Sequence, residues 1–279
     1  MKVVLAKTAG FCMGVRRAVD IALAEADRHE GAIYTYGPLI HNPQVLESLK
    51  QKGVAVLEEI PPAGTGGTVI IRAHGVPPQD MRALAQAGFA PIIDGTCPHV
   101  GRVQKIIAKA ADGGQDVVIV GDRQHAEVRG LLGHARGRGQ VVASAEEVAG
   151  LPQLQRPVLV AQTTQNEAVF AQVQAAMQAR FRQVEVHATI CAATHRRQEE
   201  ARRLAGLVDA MVVVGGRNSG NTARLAQVAA ASGKPSIWVE TPDELDPARF
   251  SGLGTVGVTA GASTPNWLIE QVVAVLESL

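Results

Sequence analysis

Runs of aliphatic and β-branched residues alternate with amphipathic stretches along the whole chain. The runs AIYTYG, DVVIVGD and AMVVVGG have the length and composition of buried strands. Apolar residues nearby recur at helical spacing, as in the series Val15, Ala18, Val19, Ala22 and Ala26. Strands that alternate with helices in this way predict an α/β fold with mostly parallel sheets.

The three cysteines divide the chain into similar segments. Cys97 lies 85 residues after Cys12, Cys191 follows 94 residues later, and 88 residues remain after it. Each cysteine follows a strand-like run and precedes a helical pattern, which indicates an internal repeat. We therefore predict an N-terminal strand with the first cysteine in residues 1–13, followed by three α/β units over residues 14–96, 97–190 and 191–279.

Polar clusters recur at matching places in the three segments. The first cluster begins 29, 28 and 27 residues after its cysteine, at His41, His125 and Asn218. A second cluster follows a later strand, around His74, Thr163 and Ser263. Parallel sheets bind ligands beyond the carboxyl ends of their strands. Three units packed as a pseudo-threefold trefoil, with these ends inward, would bring the thiols and the polar clusters to one central place.

Composition excludes several classes of protein. Hydrophobic residues are 46% and charged residues 19%, an ordinary globular balance, and the formal net charge is only +1. The chain therefore lacks the large excess of positive charge that would bind a nucleic acid or an anionic membrane. Apolar runs reach strand length but not membrane-spanning length, and the N-terminus does not resemble a signal peptide. We expect a soluble, cytoplasmic protein.

Three dispersed cysteines favour metal chemistry over disulfides. Their number is odd and no CxxC pair is present, which argues against a disulfide framework and against zinc ribbons. Each cysteine taken singly could be a small buried apolar residue. Taken together, three thiolates could hold a 4Fe-4S cluster with one open iron, or a zinc ion with an open position. We favour the cluster, because zinc has no redox chemistry.

The polar clusters predict an anionic substrate. They offer imidazole, hydroxyl and amide donors, several of them where a helix begins and where backbone N–H groups favour an anion. The substrate-binding candidates are His41, His74, His125, Thr163, Ser219, Asn221 and Ser263. This set suits a phosphate or diphosphate. The alternative is that Ser and Asn serve only as helix caps and that each His is an ordinary polar residue.

Glu127 is the one carboxylate within these motifs, two residues after His125. It could deliver a proton to a leaving hydroxyl, with Thr163 holding or relaying that proton. Its alternative role is a favourable negative charge in the first turn of a helix. Glu127, Thr163 and His125 are the catalytic candidates.

Nine ordered motifs resemble one family over nearly the entire chain. They are GFCMGVRRAV, HNPQV, AHGV, DGTCP, HAEV, AQTT, ICAATHRRQ, RNSGNT and GVTAGASTP. In this order they resemble the LytB-type 4-hydroxy-3-methylbut-2-enyl diphosphate reductases of the non-mevalonate isoprenoid pathway. The resemblance implies a three-domain trefoil around one 4Fe-4S cluster held by Cys12, Cys97 and Cys191. It also implies diphosphate binding by the histidine and Ser/Asn clusters, and proton handling by Glu127 with Thr163.

The same resemblance implies an external electron donor of the ferredoxin or flavodoxin type. Basic stretches at Arg16-Arg17, His195–Arg197 and Arg202-Arg203 could dock such an acidic carrier, or could simply be solvated helix faces. A non-redox cluster hydro-lyase and a cluster-based sensor acting on a phosphorylated molecule are the alternative functions.

Four of the motifs depart from the commonest family pattern. Ala126 stands where Pro is frequent, Gly220 where a second diphosphate-binding Ser is frequent, and Ala161 where Thr is frequent. His195-Arg196 replaces a frequent Thr-Asn pair. The missing Ser hydroxyl would cost about 1.5 to 3 kcal/mol of diphosphate binding unless a backbone N–H group or water replaces it.

Overall fold

The protein alternates strands and helices from end to end. The computed structural model describes residues 1–28 and 31–279, and within them it contains twelve strands and nine α-helices. The strands are β1 (Lys2–Leu5), β2 (Ile33–Tyr36), β3 (Val54–Leu57), β4 (Thr68–Ile71), β5 (Ile92–Asp94), β6 (Val117–Val120), β7 (Gly139–Val142), β8 (Val158–Ala161), β9 (Glu185–Val186), β10 (Ala210–Val214), β11 (Ser236–Val239) and β12 (Thr255–Ala260). The helices are α1 (Met13–Arg28), α2 (Pro43–Gln51), α3 (Pro78–Gln86), α4 (Pro98–Asp112), α5 (Ala126–His134), α6 (Glu167–Arg180), α7 (Ala192–Ala205), α8 (Gly220–Ala230) and α9 (Asn266–Ser278).

Three four-stranded sheets share one strand order, and every strand pairing in them is parallel. The first sheet has the order β3-β2-β4-β5, the second β7-β6-β8-β9 and the third β11-β10-β12-β1. The predicted α/β fold with three similar units and parallel sheets is confirmed.

The N-terminal strand completes the last sheet. β1 pairs with β12, with Val3 opposite Val256, so the first residues of the chain supply the edge strand of the third sheet. In the other two sheets that edge position belongs to β5 and β9, the strands that precede Cys97 and Cys191. Each cysteine therefore follows the edge strand of its own sheet. The division at residues 14–96, 97–190 and 191–279 stays a prediction.

Buried strands explain why the central runs are apolar throughout. In the second sheet, Val117 and Ile119 pack into one apolar cluster, while Val118 and Val120 pack into another. In the third sheet, Val212 and Met211 face two different clusters in the same way. A strand covered on both faces loses the alternation of apolar and polar residues that marks a half-exposed strand.

Contacts divide the chain into two compact units. Unit 1 comprises Met1–Val15, His41–Val45 and Ala192–Leu279 and holds the third sheet. Unit 2 comprises Arg16–Ile40 and Leu46–Cys191 and holds the first and second sheets. Across the two described stretches of chain, no helix has both the length and the apolar character needed to cross a bilayer.

Candidate active site

The three cysteines occupy equivalent positions in the three sheets. The backbone N–H of each cysteine donates to a carbonyl that lies two residues beyond the end of the neighbouring inner strand. The bonds are Cys97 to Ala73 after β4 (2.9 Å), Cys191 to Thr163 after β8 (2.8 Å) and Cys12 to Ala262 after β12 (3.2 Å). The same backbone bond thus holds each cysteine against the loop that carries His74, Thr163 or Ser263.

Each cysteine also directly precedes a helix. Helix α1 begins at Met13, α4 at Pro98 and α7 at Ala192. At α4, Cys97 is the N-cap residue and Pro98 takes the first helical position, where the missing N–H of proline is harmless. All three side chains are half-buried thiols rather than disulfides, a donor set that fits an iron–sulfur cluster.

In unit 2, Glu127 and Thr163 form a doubly bonded pair. The Thr163 backbone N–H donates to Glu127 Oε1 (2.6 Å), and the Thr163 hydroxyl donates to Glu127 Oε2 (2.9 Å). Glu127 is 2% exposed and Thr163 6% exposed. Two donors on one residue fix the Glu127 carboxyl group in one orientation. The two catalytic candidates that the sequence placed 36 residues apart therefore lie in direct contact.

His125 caps the helix that carries Glu127. Its ring Nδ1 accepts the backbone N–H of Glu127 at 3.1 Å, which makes His125 the N-cap of α5. Because Nδ1 is the acceptor, the neutral ring carries its proton on Nε2. His74 lies beside it, with ring centroids 5.3 Å apart and an edge-to-face angle of 82°. Both histidines of unit 2 therefore belong to one cluster with Glu127.

A buried arginine, which the sequence analysis missed, fixes the His74 loop. Arg72 is 8% exposed and donates from Nε to the carbonyl of Gly75 at 3.4 Å. Its guanidinium lies 5.9 Å from the Tyr36 ring centroid. Burial lowers the pKa of Arg72, and the nearby Arg129 lowers it further. The motif RAHGV contains the signal, an arginine directly after a fully buried strand.

In unit 1, a second polar cluster joins His41, Ser219 and Ser263. The Ser263 hydroxyl lies 3.1 Å from the His41 carbonyl, to which it donates, and 3.4 Å from the Ser219 hydroxyl. Ser219 caps α8 by accepting the Thr222 N–H at 3.3 Å. The capping role considered for Ser219 is therefore real. Both serine hydroxyls remain next to each other at the start of that helix.

Two buried asparagine side chains in unit 1 each have an amide N–H donor without a partner among the described residues. Asn221 is 9% exposed and Asn42 1% exposed, and within the described residues neither Nδ2 atom has a hydrogen-bond partner. Asn42 uses its Oδ1 to accept the Val45 N–H at 3.0 Å at the start of α2. An unused buried N–H donor costs free energy, so these atoms suit an anionic ligand.

Comparison with known proteins then identifies the family. A family model described as "LytB protein" matches residues 3–277. The chain belongs to the LytB family. A LytB relative from Solidesulfovibrio magneticus, named 4-hydroxy-3-methylbut-2-enyl diphosphate reductase, is 48% identical over 100% of both chains. A relative of the same name from Citrifermentans bemidjiense is 45% identical over 98% of this chain and 96% of its own.

Solved structures of LytB proteins have the same fold. The E-1-hydroxy-2-methyl-but-2-enyl-4-diphosphate reductase of Plasmodium falciparum superimposes with a TM-score of 0.93 at 26% identity. The match covers 99% of this chain and 87% of the Plasmodium chain. A second structure, that of an (E)-4-hydroxy-3-methyl-but-2-enyl diphosphate reductase, the terminal enzyme of the non-mevalonate pathway, superimposes with a TM-score of 0.73 at 42% identity over 100% of both chains.

Two of the residues that depart from the LytB pattern lie at the start of a helix. Gly220 is the first residue of α8, where backbone N–H groups have no partner within the helix. These groups can replace the missing serine hydroxyl as anion donors. Ala126 is the first residue of α5, between the His125 cap and Glu127, and its own backbone position is that of a normal helix start.

The third departure, at His195-Arg196, lies in a helix that holds the Cys12 loop. Arg197, expected on a solvated face, is 4% exposed and donates to the Gly10 carbonyl at 2.7 Å. One turn further, Glu200 accepts the backbone N–H groups of Lys7 (2.8 Å) and Thr8 (2.7 Å). Helix α7 therefore fixes the segment that leads from β1 to Cys12. Sequence spacing gave no signal for these contacts between residues almost 200 positions apart.

Proposed function

We propose that this chain is a 4Fe-4S oxidoreductase that converts 4-hydroxy-3-methylbut-2-enyl diphosphate to isopentenyl and dimethylallyl diphosphate. The reaction is a reductive dehydroxylation: the substrate takes up two electrons and two protons, the C–O bond breaks, and water leaves. Relatives that carry the name of this reductase match the chain at 43–48% identity over nearly its whole length. The main structural support is the backbone hydrogen bond that holds Cys12, Cys97 and Cys191 at equivalent positions of their sheets.

These three cysteines would hold one cluster and leave one iron without a protein thiolate. When bound, such a cluster supplies the two electrons one at a time and a Lewis-acidic metal. The chain's contribution is to keep the thiols fixed. Each cysteine combines a backbone bond to the adjacent loop with a position at the start of a helix, so each is held within its own sheet and loop.

Glu127 supplies the proton that leaves with the hydroxyl. Its carboxyl is buried and held at both oxygens by Thr163, within 2.9 Å, so a proton can pass along the Thr163 hydroxyl. His125 caps the helix of Glu127 through Nδ1, which keeps its ring beside this carboxyl group. A buried, oriented carboxyl group next to imidazole rings suits a reaction in which an alcohol oxygen must become water.

The diphosphate is bound by imidazole, hydroxyl and amide donors. They are His41, His74 and His125, the hydroxyls of Thr163, Ser219 and Ser263, and the side-chain amide of Asn221. Helix α8 adds the N–H groups of its first turn, including that of Gly220. The close hydroxyls of Ser219 and Ser263 and the unused Asn221 Nδ2 support this assignment.

Electrons come from an external carrier of the ferredoxin or flavodoxin type. The overall reaction therefore distinguishes this function from a hydro-lyase, which needs no reductant. It also distinguishes it from a sensor, which does not turn over.

The test is anaerobic turnover with the reconstituted full-length protein. Protein loaded with iron and sulfide is mixed with the allylic diphosphate and dithionite-reduced methyl viologen, and the products are identified by chromatography after phosphatase treatment. We expect both five-carbon products, oxidation of two viologen radicals per substrate, and no product when the reductant is left out. Product formation without reductant, or intact substrate despite a fully loaded cluster, would refute the proposed function.

A further inference from the structure

Helix α4, which begins directly after Cys97, has a basic exposed face. Its exposed basic residues are His99, Arg102, Lys105 and Lys109, spaced so that they fall on one side of the helix. The only carboxylate in α4 is Asp112, its last residue, and it pairs with Arg136 at 2.7 Å. We call this stripe the α4 basic face. It extends for roughly 15 Å at 1.5 Å per residue.

A cavity lies between this face and the Cys97 loop. It has a volume of about 570 Å³, and its lining includes Cys97, Arg102 and Lys105. The cavity therefore reaches from the cationic side chains to the cysteine itself. Asp94 is the only carboxylate among the described residues that line it.

Arg17 of helix α1 adds a further cation on the Cys97 side. Its exposed guanidinium donates to the carbonyl of Asp94 at 3.1 Å and to that of Thr96 at 3.2 Å. Both acceptors precede Cys97 by no more than three residues and line the cavity. Arg16, next in sequence, is also exposed. Cationic side chains from two helices, α1 and α4, therefore lie next to the Cys97 loop.

We propose that the α4 basic face, with Arg17 and the cavity at Cys97, docks a small acidic iron–sulfur electron carrier of ferredoxin type. The proposal rests on the proposed function, because an electron carrier is needed only if the cluster is reduced. Two reduced carriers dock in succession, and each loses one electron to the cluster that Cys97 helps to hold. Opposite charges steer such transient complexes, and a surface of this length fits the small interfaces of redox partners.

The other basic stretch is a poorer docking surface. Along α7, His195 lies 3.7 Å from Glu199, and Arg203 lies 3.9 Å from Glu200. Another arginine of α7, Arg197, is buried. Cations and carboxylates thus alternate on α7, whereas α4 carries no carboxylate before its last residue.

The test compares two double charge reversals in the reconstituted holoenzyme. Arg102→Glu with Lys105→Glu removes the centre of the α4 basic face. Arg196→Glu with Arg202→Glu, on exposed positions of α7, changes the net charge by the same amount. The probe is a purified acidic bacterial 2[4Fe–4S] ferredoxin. Its affinity is measured by surface plasmon resonance, and its KM by steady-state turnover at low and high salt.

We expect the α4 double variant to weaken ferredoxin binding and raise the ferredoxin KM at least tenfold at low salt. The difference from wild type should shrink in 0.5 M salt, because exposed charges are screened there. Turnover with methyl viologen should stay within twofold of wild type, and the α7 control should bind ferredoxin like wild type. Equal effects of the two double variants, or unchanged binding by the α4 variant, would overturn the docking proposal. Absence of viologen-driven turnover in the wild type would instead refute the proposed function.

Discussion

Glu200→Gln tests whether α7 holds the segment that leads to Cys12. The Glu200 side chain is 11% exposed, and its two oxygens accept three hydrogen bonds, from the N–H groups of Lys7 and Thr8 and from the Thr8 hydroxyl. Gln keeps one acceptor oxygen but turns its NH₂ group toward at least one of these donors. Loss of a charge-assisted bond, with a donor left unsatisfied, should lower the free energy of unfolding by about 2 to 4 kcal/mol.

The same variant has a defined pH dependence. Burial raises the pKa of Glu200, but the Thr8 hydroxyl and the two backbone N–H groups lower it more, so its pKa in the folded protein lies below the ordinary value for glutamate. The stabilisation by the carboxylate is therefore present above the unfolded pKa and is lost as the pH falls through the folded pKa. Wild type and Glu200→Gln should differ at pH 7 and converge in acid.

The assay is urea unfolding of the full chain, together with the rate of iron loss to a chelator after cluster reconstitution. The matched control is Glu199→Gln, since Glu199 is 70% exposed and lies 3.7 Å from the exposed His195. This exposed pair should contribute less than about 1 kcal/mol. If Glu200→Gln unfolds at the same urea concentration as Glu199→Gln at pH 7, α7 does not stabilise the Cys12 segment.

Three further variants test separate parts of the site. Glu127→Gln should retain the cluster absorbance and substrate affinity but lose about 10²- to 10⁴-fold in kcat with viologen as donor; near-normal kcat would remove Glu127 from the proton path. Asn221→Ala should raise the substrate KM about 10- to 100-fold, because a donor to a charged acceptor is lost, and an unchanged KM would exclude the Asn221 amide from diphosphate binding. Gly37→Ala should lower the free energy of unfolding, measured in urea, by about 1 to 3 kcal/mol, because φ is +67° at Gly37 and the new Cβ would displace the Arg72 guanidinium. A variant as stable as the wild type would contradict this packing.

Local patterns in the sequence were sufficient to predict the fold. The β-branched runs and the helical spacing after each cysteine predicted elements that the structure contains, because strands buried on both faces and amphipathic helices leave strong periodic signals. The pairing of β1 with β12 illustrates the limit. Both strands are apolar, and nothing local indicates that residues more than 250 positions apart lie side by side.

The candidate site was predictable where its residues recur in the repeat. Glu127 and Thr163 were chosen from their motifs, and the structure brings them into contact. Arg72 and Glu200 were missed for a physical reason. Charged residues in such positions are usually solvated, and only their contacts with distant backbone groups show that they are buried partners of the loops at Gly75 and Thr8.

The central claim is that the three thiols bind one 4Fe-4S cluster in which one iron has no protein thiolate. Mössbauer spectroscopy of protein reconstituted anaerobically with ⁵⁷Fe tests this claim most directly. We expect about four iron and four sulfide ions per chain, with one iron in four giving a distinct signal that shifts when the allylic diphosphate is added. Substitution of any single cysteine by Ala should abolish that spectrum. Four equivalent irons, a spectrum that survives the loss of a cysteine, or stoichiometric zinc in place of iron would contradict the account.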